Sequence, residues 1–345
     1  MKIVINPDHE AHAPETELTG GGIAPAVEIP ARARTILKAL EVAGHRDIAP
    51  FTDHGRAVIE RAHPPAYLDF LAAAHGDWTR VYGDSHAVPF VWPVRSLRQV
   101  IPRAIDARLG HYSGDGGTPI TAGTWQAAYG SAQTAVTGAR ALTAAGPAST
   151  PVFALCRPPG HHAASDLYMG YCFLNNAAIA AEDLLAAGAG RVSVLDVDYH
   201  HGNGTQAIFY HRGEMQFVSL HADPADEYPY FLGYADETGE GAGEGTTLNL
   251  PLPWGTDWEA YAQALDRACA AIDRFGPDAL VVSLGCDTYK EDPISRFRLE
   301  TEDFTRMGAR IGRLGRPTLV VMEGGYAVDA LGANVAAFLK GLAGG

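Results

Sequence analysis

Disulfides are not what holds this chain together. Its four cysteines, Cys156, Cys172, Cys269 and Cys286, are scattered over 345 residues with no CxxC pair. That excludes a disulfide scaffold and a cysteine-rich zinc module, and points to reduced thiols in a cytoplasmic protein. Cys156 lies near a histidine pair, and packing is the use expected of it. Positive charge is also scarce: 26 Lys and Arg stand against 40 Asp and Glu, a net charge of −14. Such a balance argues against nucleic acid and anionic membrane as partners. It suits cationic ligands, and equally it is what an ordinary acidic enzyme shows. There is no low-complexity block, no internal repeat, and no apolar run long enough to span a bilayer. The opening MKIVINPDHE lacks a signal-peptide layout and reads as a first strand. No linker-like stretch divides the chain, so one domain over 1–345 is the economical reading.

What is present is alternation. TWQAAYGSAQTAVTGARALTAAG reads as a helix closed by Gly146, followed by the strand PVFALC. NNAAIAAEDLLAAGAG is an Asn-started, Gly-stopped helix leading into RVSVLDVD, and QFVSLH and TTLNLPL are further strands. Then come the helix WEAYAQALDRACAAIDRFG, the strand ALVVSLG, the helix DFTRMGARIGRLG, the strand TLVVMEGG and a last helix near ANVAAFLKG. Continuous Val/Leu/Ile strands separated by amphipathic helices indicate a parallel sheet covered on both faces. The segment from about 78 to 122 differs, being rich in Pro, Gly and aromatics with no clear period. An irregular insertion of that length is functional or mobile. Trp78, Phe90 and Trp92 in it are expected to be exposed and to form a contact surface, such as one with a second subunit.

In open α/β sheets ligands bind beyond the carboxyl ends of the strands, and several strands here end in polar clusters. FAL is followed by CRPPGHH, with His161 and His162; SVL by DVDYHHGNG, with Asp196, Asp198, His200, His201 and Asn203. His221 follows FVSL, Asp287 follows LVVSLG, and EGGY, with Glu323 and Tyr326, follows LVVM. Taken singly, each is more readily a cap, a turn or a surface histidine. Five at one sheet edge make a site. Asp198 and His200, two apart, leave an extended chain on the same face, a phase that Asp196 shares. With Asp287 from another strand end they form an O/N ligand set with an open position, as a catalytic metal site needs. Zn²⁺ suits that set best, and Fe²⁺ and Co²⁺ are compatible with it. Two ligand carboxylates leave such a metal needing a separate base. The histidines of PPGHH can supply it, each held through its other ring nitrogen by an acceptor such as Asp196 or Asn203. Tyr326 can donate its hydroxyl to a developing oxyanion.

The segments RPPGHHA, GYCFLNNAAIA, LDVDYHHGNGTQ, SLGCDTYKEDPI and MEGGY resemble, in order and spacing, the signatures of the histone deacetylase superfamily. Within it the likeness is strongest to the bacterial acetylpolyamine amidohydrolases, through the TELxGG-type opening, AGTW and DPADEYPYFLGYADE. The resemblance implies the arginase–deacetylase fold, a three-layer α-β-α sandwich around a mostly parallel sheet of about eight strands. It implies Asp198, His200 and Asp287 as ligands of one zinc ion. His161 and His162 become the tandem histidines, supported by Asp196 and Asn203 respectively, and Tyr326 polarises the acetamide carbonyl. His162 would act as base and then acid, the asparagine at 203, where many members have aspartate, leaving it less strongly held in the protonated form. A structural K⁺ is implied beside Asp196, Asp198, His200, Ser219 and Leu220. Arg32 would line an acetate channel, with Arg34 close by in sequence.

For the substrate the resemblance implies a tunnel flanked by Gly170, Tyr171 and Tyr228. Acidic residues at its mouth would attract the ammonium groups of a polyamine, and Glu17, Asp106 and Asp115 are the candidates. The chain departs from the polyamine enzymes in having glycine just before TPIT, where they tend to carry glutamate, and Tyr228 where phenylalanine is frequent. The insertion at 78–122 matches a loop that pairs two subunits and narrows the entrance, which favours a small acetylated amine over a protein tail. A broader acetyl-lysine deacetylase is the alternative. An arginase-like two-metal guanidino hydrolase and a non-catalytic acetyl-ligand binder share the fold, but the former needs richer paired-aspartate motifs and the latter no histidine pair.

Overall fold

The computed structural model describes residues 1–96, 98–146 and 150–345. In chain order the strands are β1 (Lys2–Ile5), β2 (Thr16–Thr19), β3 (Gly22–Pro25), β4 (Ile48–Pro50), β5 (Val152–Leu155), β6 (Val192–Asp196), β7 (Met215–Ala222), β8 (Thr247–Leu252), β9 (Ala279–Leu284) and β10 (Thr318–Met322). Eight of them form one sheet in the order β4-β1-β5-β10-β9-β6-β7-β8, and every pair in it is parallel. β2 and β3 pair antiparallel as a separate hairpin. The helices are α1 (Ala31–Val42), α2 (Pro65–Tyr82), α3 (Ile105–Tyr112), α4 (Thr124–Ala145), α5 (Asn176–Ala186), α6 (Asn203–Phe209), α7 (Trp258–Phe275), α8 (Thr301–Gly312) and α9 (Val328–Gly344).

Strand alternation feeds two separate cores. Val192 and Val194 of β6 and Val281 of β9 face a layer built from α2, α3, α4 and α5. Leu195, Leu280 and Val282 face the opposite layer of α1, α7, α8 and α9. A sheet buried on both sides needs apolar residues at odd and even positions alike, and this is why the strands read as unbroken apolar runs. Local signals mark the helix starts: Asn175 caps α5 by accepting the Ala178 N–H at 2.9 Å, and Asp257 caps α7 through the Ala260 N–H at 3.1 Å. Because all strands run the same way, their carboxyl ends share one edge. In that register Asp196 stands opposite both Ser219 and Ser283.

The structure departs from the sequence reading in the insertion. Residues 78–122 are not irregular throughout: α2 continues to Tyr82, and α3 occupies Ile105–Tyr112. Trp78, expected on the surface, is buried, its ring 4.3 Å from that of Tyr82 and its indole N–H donated to Ser85 Oγ at 2.9 Å. It continues the buried stripe Tyr67, Leu71, Ala74 of α2, a spacing of four, three and four residues that keeps one helix face inward. Phe90 is exposed as expected, and Trp92 is half-buried. Among the described residues no helix is long and apolar enough to cross a membrane.

Candidate active site

Past the end of β6 the chain bends, and its polar side chains are held by backbone amides. Asp198 Oδ1 accepts the His200 N–H at 2.9 Å, and Oδ2 accepts the Gly324 N–H at 2.9 Å from beyond β10. Asp287, past β9, accepts the Tyr199 N–H at 2.9 Å through Oδ1 and turns Oδ2 to His200 Nδ1 at 3.1 Å. His200 Nδ1 also lies 3.4 Å from Asp198 Oδ1. The three donor atoms are buried and all within 4.8 Å of one another. So close an approach requires glycine nearby: a Cβ on Gly324 would sit 2.5 Å from Asp287 Oδ2 and 2.6 Å from Asp198 Oδ2. Burial, reinforced by the Asp198 charge, pushes Asp287 up to about 7. Burial opposes charge on His200, but its bonds to Asp198 and Asp287 prevail and hold it up at about 10. Two buried carboxylates facing each other across an imidazole call for a cation between them, and an O, O, N donor set fits Zn²⁺.

The histidine pair lies beside this trio. His161 Nδ1 is 2.9 Å from Asp196 Oδ2, and His162 Nδ1 is 2.6 Å from Asn203 Oδ1. The two imidazoles differ electrically. Burial works against charging His161, but Asp198 and Asp196 outweigh it and raise its pKa to about 10. His162 is pushed well below the ordinary histidine range by burial and by the neighbouring His161 and His200. Asn203 lies at the start of α6, so HHGNG runs directly into a helix instead of ending in a turn. Its amide nitrogen is 3.4 Å from the His162 carbonyl, which leaves Oδ1 as the acceptor of the His162 Nδ1–H.

Two residues with no role assigned from the sequence, Glu323 and Asp292, hold these loops together with Arg32. Glu323 is fully buried, and its Oε2 accepts the N–H groups of Gly160 at 2.6 Å and His161 at 3.1 Å. Asp292 Oδ2 accepts the Tyr326 N–H at 2.7 Å. Arg32 is buried beneath the Tyr326 ring, 4.8 Å from its centroid, and its guanidinium donates to the carbonyls of Gly325 and Glu323 at 2.6 Å each and to Glu28 at 2.7 Å. Arg34 instead pairs with Glu10 at the surface. A second buried group, His161, Cys172 and Glu323, also clusters. Burial pushes the Cys172 thiol up. Cys156 is likewise buried with its thiol pushed up, as a packing residue would be.

Above this floor opens a cavity of about 570 Å³ whose lining includes His162, His200, Tyr326, Gly170, Tyr171 and Tyr228. The Tyr228 ring stands 5.1 Å from that of His162, and Tyr171 5.6 Å from Tyr326. Gly170 adopts φ +57°, and a Cβ there would strike the His162 ring. Of the three acids expected at the mouth, Glu17 and Asp115 line the cavity and Asp106 does not. Asp106 sits in the first turn of α3, where its carboxylate pushes the Tyr82 phenol up. Asp115 is fully engaged: Oδ1 accepts the Gly117 N–H at 3.0 Å and the Thr118 hydroxyl at 2.9 Å, and Oδ2 the Gly170 N–H at 2.8 Å and the Tyr228 hydroxyl at 2.7 Å. Glu17 receives the Tyr171 hydroxyl at 2.9 Å, and burial raises its pKa. A third lining carboxylate, Glu227, escaped the sequence reading; its place directly before the tunnel residue Tyr228 was the available signal. Ser219 and Leu220 lie on β7 beside the end of β6, next to Asp196, Asp198 and His200.

Known proteins share this sequence and fold. The histone deacetylase domain model matches residues 26–342. Acetylpolyamine amidohydrolase 1 of Pseudomonas aeruginosa is 52% identical over 100% of this chain and 99% of its own length. Acetylpolyamine amidohydrolase of Mycoplana ramosa is 46% identical over the full length of both. The crystal structure of acetylpolyamine aminohydrolase from Burkholderia pseudomallei superposes with a TM-score of 0.93 at 40% identity, covering 99% of this chain and 98% of that one.

Proposed function

The chain belongs to the histone deacetylase family, and we propose that it is a metal-dependent amidohydrolase releasing acetate from N-acetylated polyamines or similar small acetylated amines. One observation carries the substrate class. The cavity over the histidine pair is lined by three carboxylates, Glu17, Asp115 and Glu227, and by no lysine or arginine among the described residues. A low-dielectric cleft of one sign concentrates ligands of the other. The full-length relatives named for acetylpolyamines support the same reading.

Asp198, His200 and Asp287 would hold the metal, with Zn²⁺ the best match and Fe²⁺ or Co²⁺ compatible; when bound it supplies Lewis acidity toward the acetamide carbonyl and the attacking water. The chain's own groups do the rest. With its Nδ1 proton given to Asn203, neutral His162 presents a free Nε2 lone pair that takes a proton from the water. His161, kept protonated by Asp196 and Asp198, supplies positive charge beside the developing oxyanion. The Tyr326 hydroxyl donates to that same oxygen. His162 then returns its proton to the departing amine nitrogen, and Arg32 lies under Tyr326, where acetate must leave. Asp196, Asp198, His200, Ser219 and Leu220 would hold a structural K⁺.

The arginase-like alternative requires a second metal. The other buried cluster among the described residues has its glutamate engaged by two backbone amides and its imidazole by Asp196, which suits it poorly to one. Pairing of two subunits through residues 78–122, narrowing the entrance, and a cytoplasmic location supported by four free thiols complete the proposal. The deciding experiment compares kcat/KM for N-acetylputrescine, N-acetylcadaverine, acetylspermidine and an acetyl-lysine peptide on protein loaded with one Zn²⁺ per chain. Preference for an acetylated amine over the peptide supports the assignment. Equal or better peptide turnover favours the broader deacetylase, and binding without hydrolysis of any of them favours a non-catalytic protein.

A further inference from the structure

The three carboxylates of the cavity are not equivalent acceptors. A carboxylate has about four lone-pair sites. Asp115 has filled them: two donors on each oxygen, all from the polypeptide. It joins the Gly170 side of the cavity to Tyr228 and has no capacity left for a ligand. Glu17 is 6% exposed, carries the Tyr171 hydroxyl on one oxygen and the Val27 N–H on the other, and is made harder to ionise by burial. Glu227 differs from Asp115 in keeping an acceptor site and from Glu17 in its exposure. It is only partly buried and enters no ion pair among the described residues. Its Oε2 receives the Tyr199 hydroxyl at 2.8 Å and the Trp254 indole N–H at 3.2 Å, while Oε1 receives only the adjacent Tyr228 N–H at 3.2 Å. Three neutral donors therefore orient the group without cancelling its charge. Arg296 stacks on the far partner, 4.4 Å from the Trp254 centroid, and makes no bond to Glu227. The backbone beneath is fixed too, since the Glu227 N–H donates to the Asp223 carbonyl at 3.0 Å.

We propose that Glu227 is the specificity-determining residue that takes the distal ammonium of an acetylated linear diamine, while Asp115 and Glu17 hold the cavity walls. This rests on the amidohydrolase reading above. An acetamide seated between His162 and Tyr326 directs its alkyl chain past Tyr228, whose ring is 5.1 Å from His162 and 6.1 Å from His200. The next ionisable side chain along the backbone is Glu227. One acceptor site remains on its Oε1, and unlike Glu17 the side chain is only partly buried.

The test sets N-acetylputrescine against N-butylacetamide, a neutral compound of the same chain length. Glu227→Gln raises KM for the charged compound by about tenfold, the size of one charge-assisted hydrogen bond, with KM for the neutral one and kcat for both within about twofold of the parent. Raising ionic strength raises KM for N-acetylputrescine in the parent and has little effect in the variant. Glu227→Asp, which keeps the charge but withdraws it by one methylene, shifts the kcat/KM ratio toward N-acetylcadaverine. Equal losses on the charged and neutral compounds would make Glu227 a loop support and overturn the proposal. So would Glu17→Gln producing the selective loss while Glu227→Gln does not. A parent protein that hydrolyses neither compound overturns the amidohydrolase reading itself.

Discussion

The floor of the cavity and its rim obtain their precision from different sources. On the floor, Asp196, Asp198, Asp287 and Glu323 follow directly from β6, β9 and β10, whose parallel register sets them to within a residue. All four are 0% exposed, and glycines leave them room to meet. At the rim, the hairpin β2–β3, the turn at 115–118 and the loop at 223–237 lie outside the sheet. Phenol–carboxylate bonds hold them: Tyr228 to Asp115 joins the last two, and Tyr171, beside Gly170, holds Glu17 of the hairpin. A sheet edge can change little without losing its ladder, whereas loops can exchange side chains at small cost to the fold. The proposed chemistry sits on the first and the proposed substrate choice on the second.

That division yields graded expectations. The largest effect belongs to the floor: Asp287→Ala should cut bound metal from about one per chain to near none, and kcat/KM by about 10³-fold or more, the several kcal/mol of lost charge stabilisation expected of a Lewis acid. Metal analysis beside steady-state kinetics checks it. If Asp198→Ala, His200→Ala and Asp287→Ala all hold the ion as tightly as the parent, the trio is not the metal site. Tyr326→Phe is next. It removes one transition-state donor worth roughly 3 kcal/mol, so kcat should fall about a hundredfold with KM little changed; full turnover would remove Tyr326 from the reaction. Smallest is the rim variant Asp115→Ala. Losing the bonds to Gly170 and Tyr228 should lower kcat/KM for charged and neutral substrates alike by about thirtyfold, at about 1 kcal/mol for each of the two bonds. Part of that loss should already be present in Tyr228→Phe, so the double variant should be less than additive. A loss confined to charged substrates would make Asp115 an ammonium site, and the contrast between walls and reader would fail.

Much of the floor was legible in one pass along the chain. The motif LDVDYHHGNG places Asp196, Asp198, His200 and Asn203 within eight residues, and Asp287 and Tyr326 follow strands that alternation alone identifies. Other assignments needed the folded molecule. Arg32 and Arg34 are indistinguishable in IPARAR, yet two residues apart on a helix means about 200° of rotation: one enters the core beneath Tyr326 and the other meets Glu10 at the surface. Trp78 looked exposed because the segment after it is irregular, although it belongs to the last buried turn of α2. Glu323 was visible at its strand end, but nothing local shows that it receives two amides from the histidine loop some 160 residues earlier.

The sequence by itself determined that the chain makes a parallel sheet buried on both faces, with oxygen and nitrogen donors gathered at one edge. Strand period and strand ends are local properties, and the edge follows once the strands are parallel. Only the tertiary structure decided which acids remain free to act. Asp106, Asp115, Glu17 and Glu227 are alike on paper, and the fold separates them by place, burial and hydrogen bonding: Asp106 lies outside the cavity, Glu17 is buried, and Asp115, saturated by its own fold, has no lone pair left for a ligand.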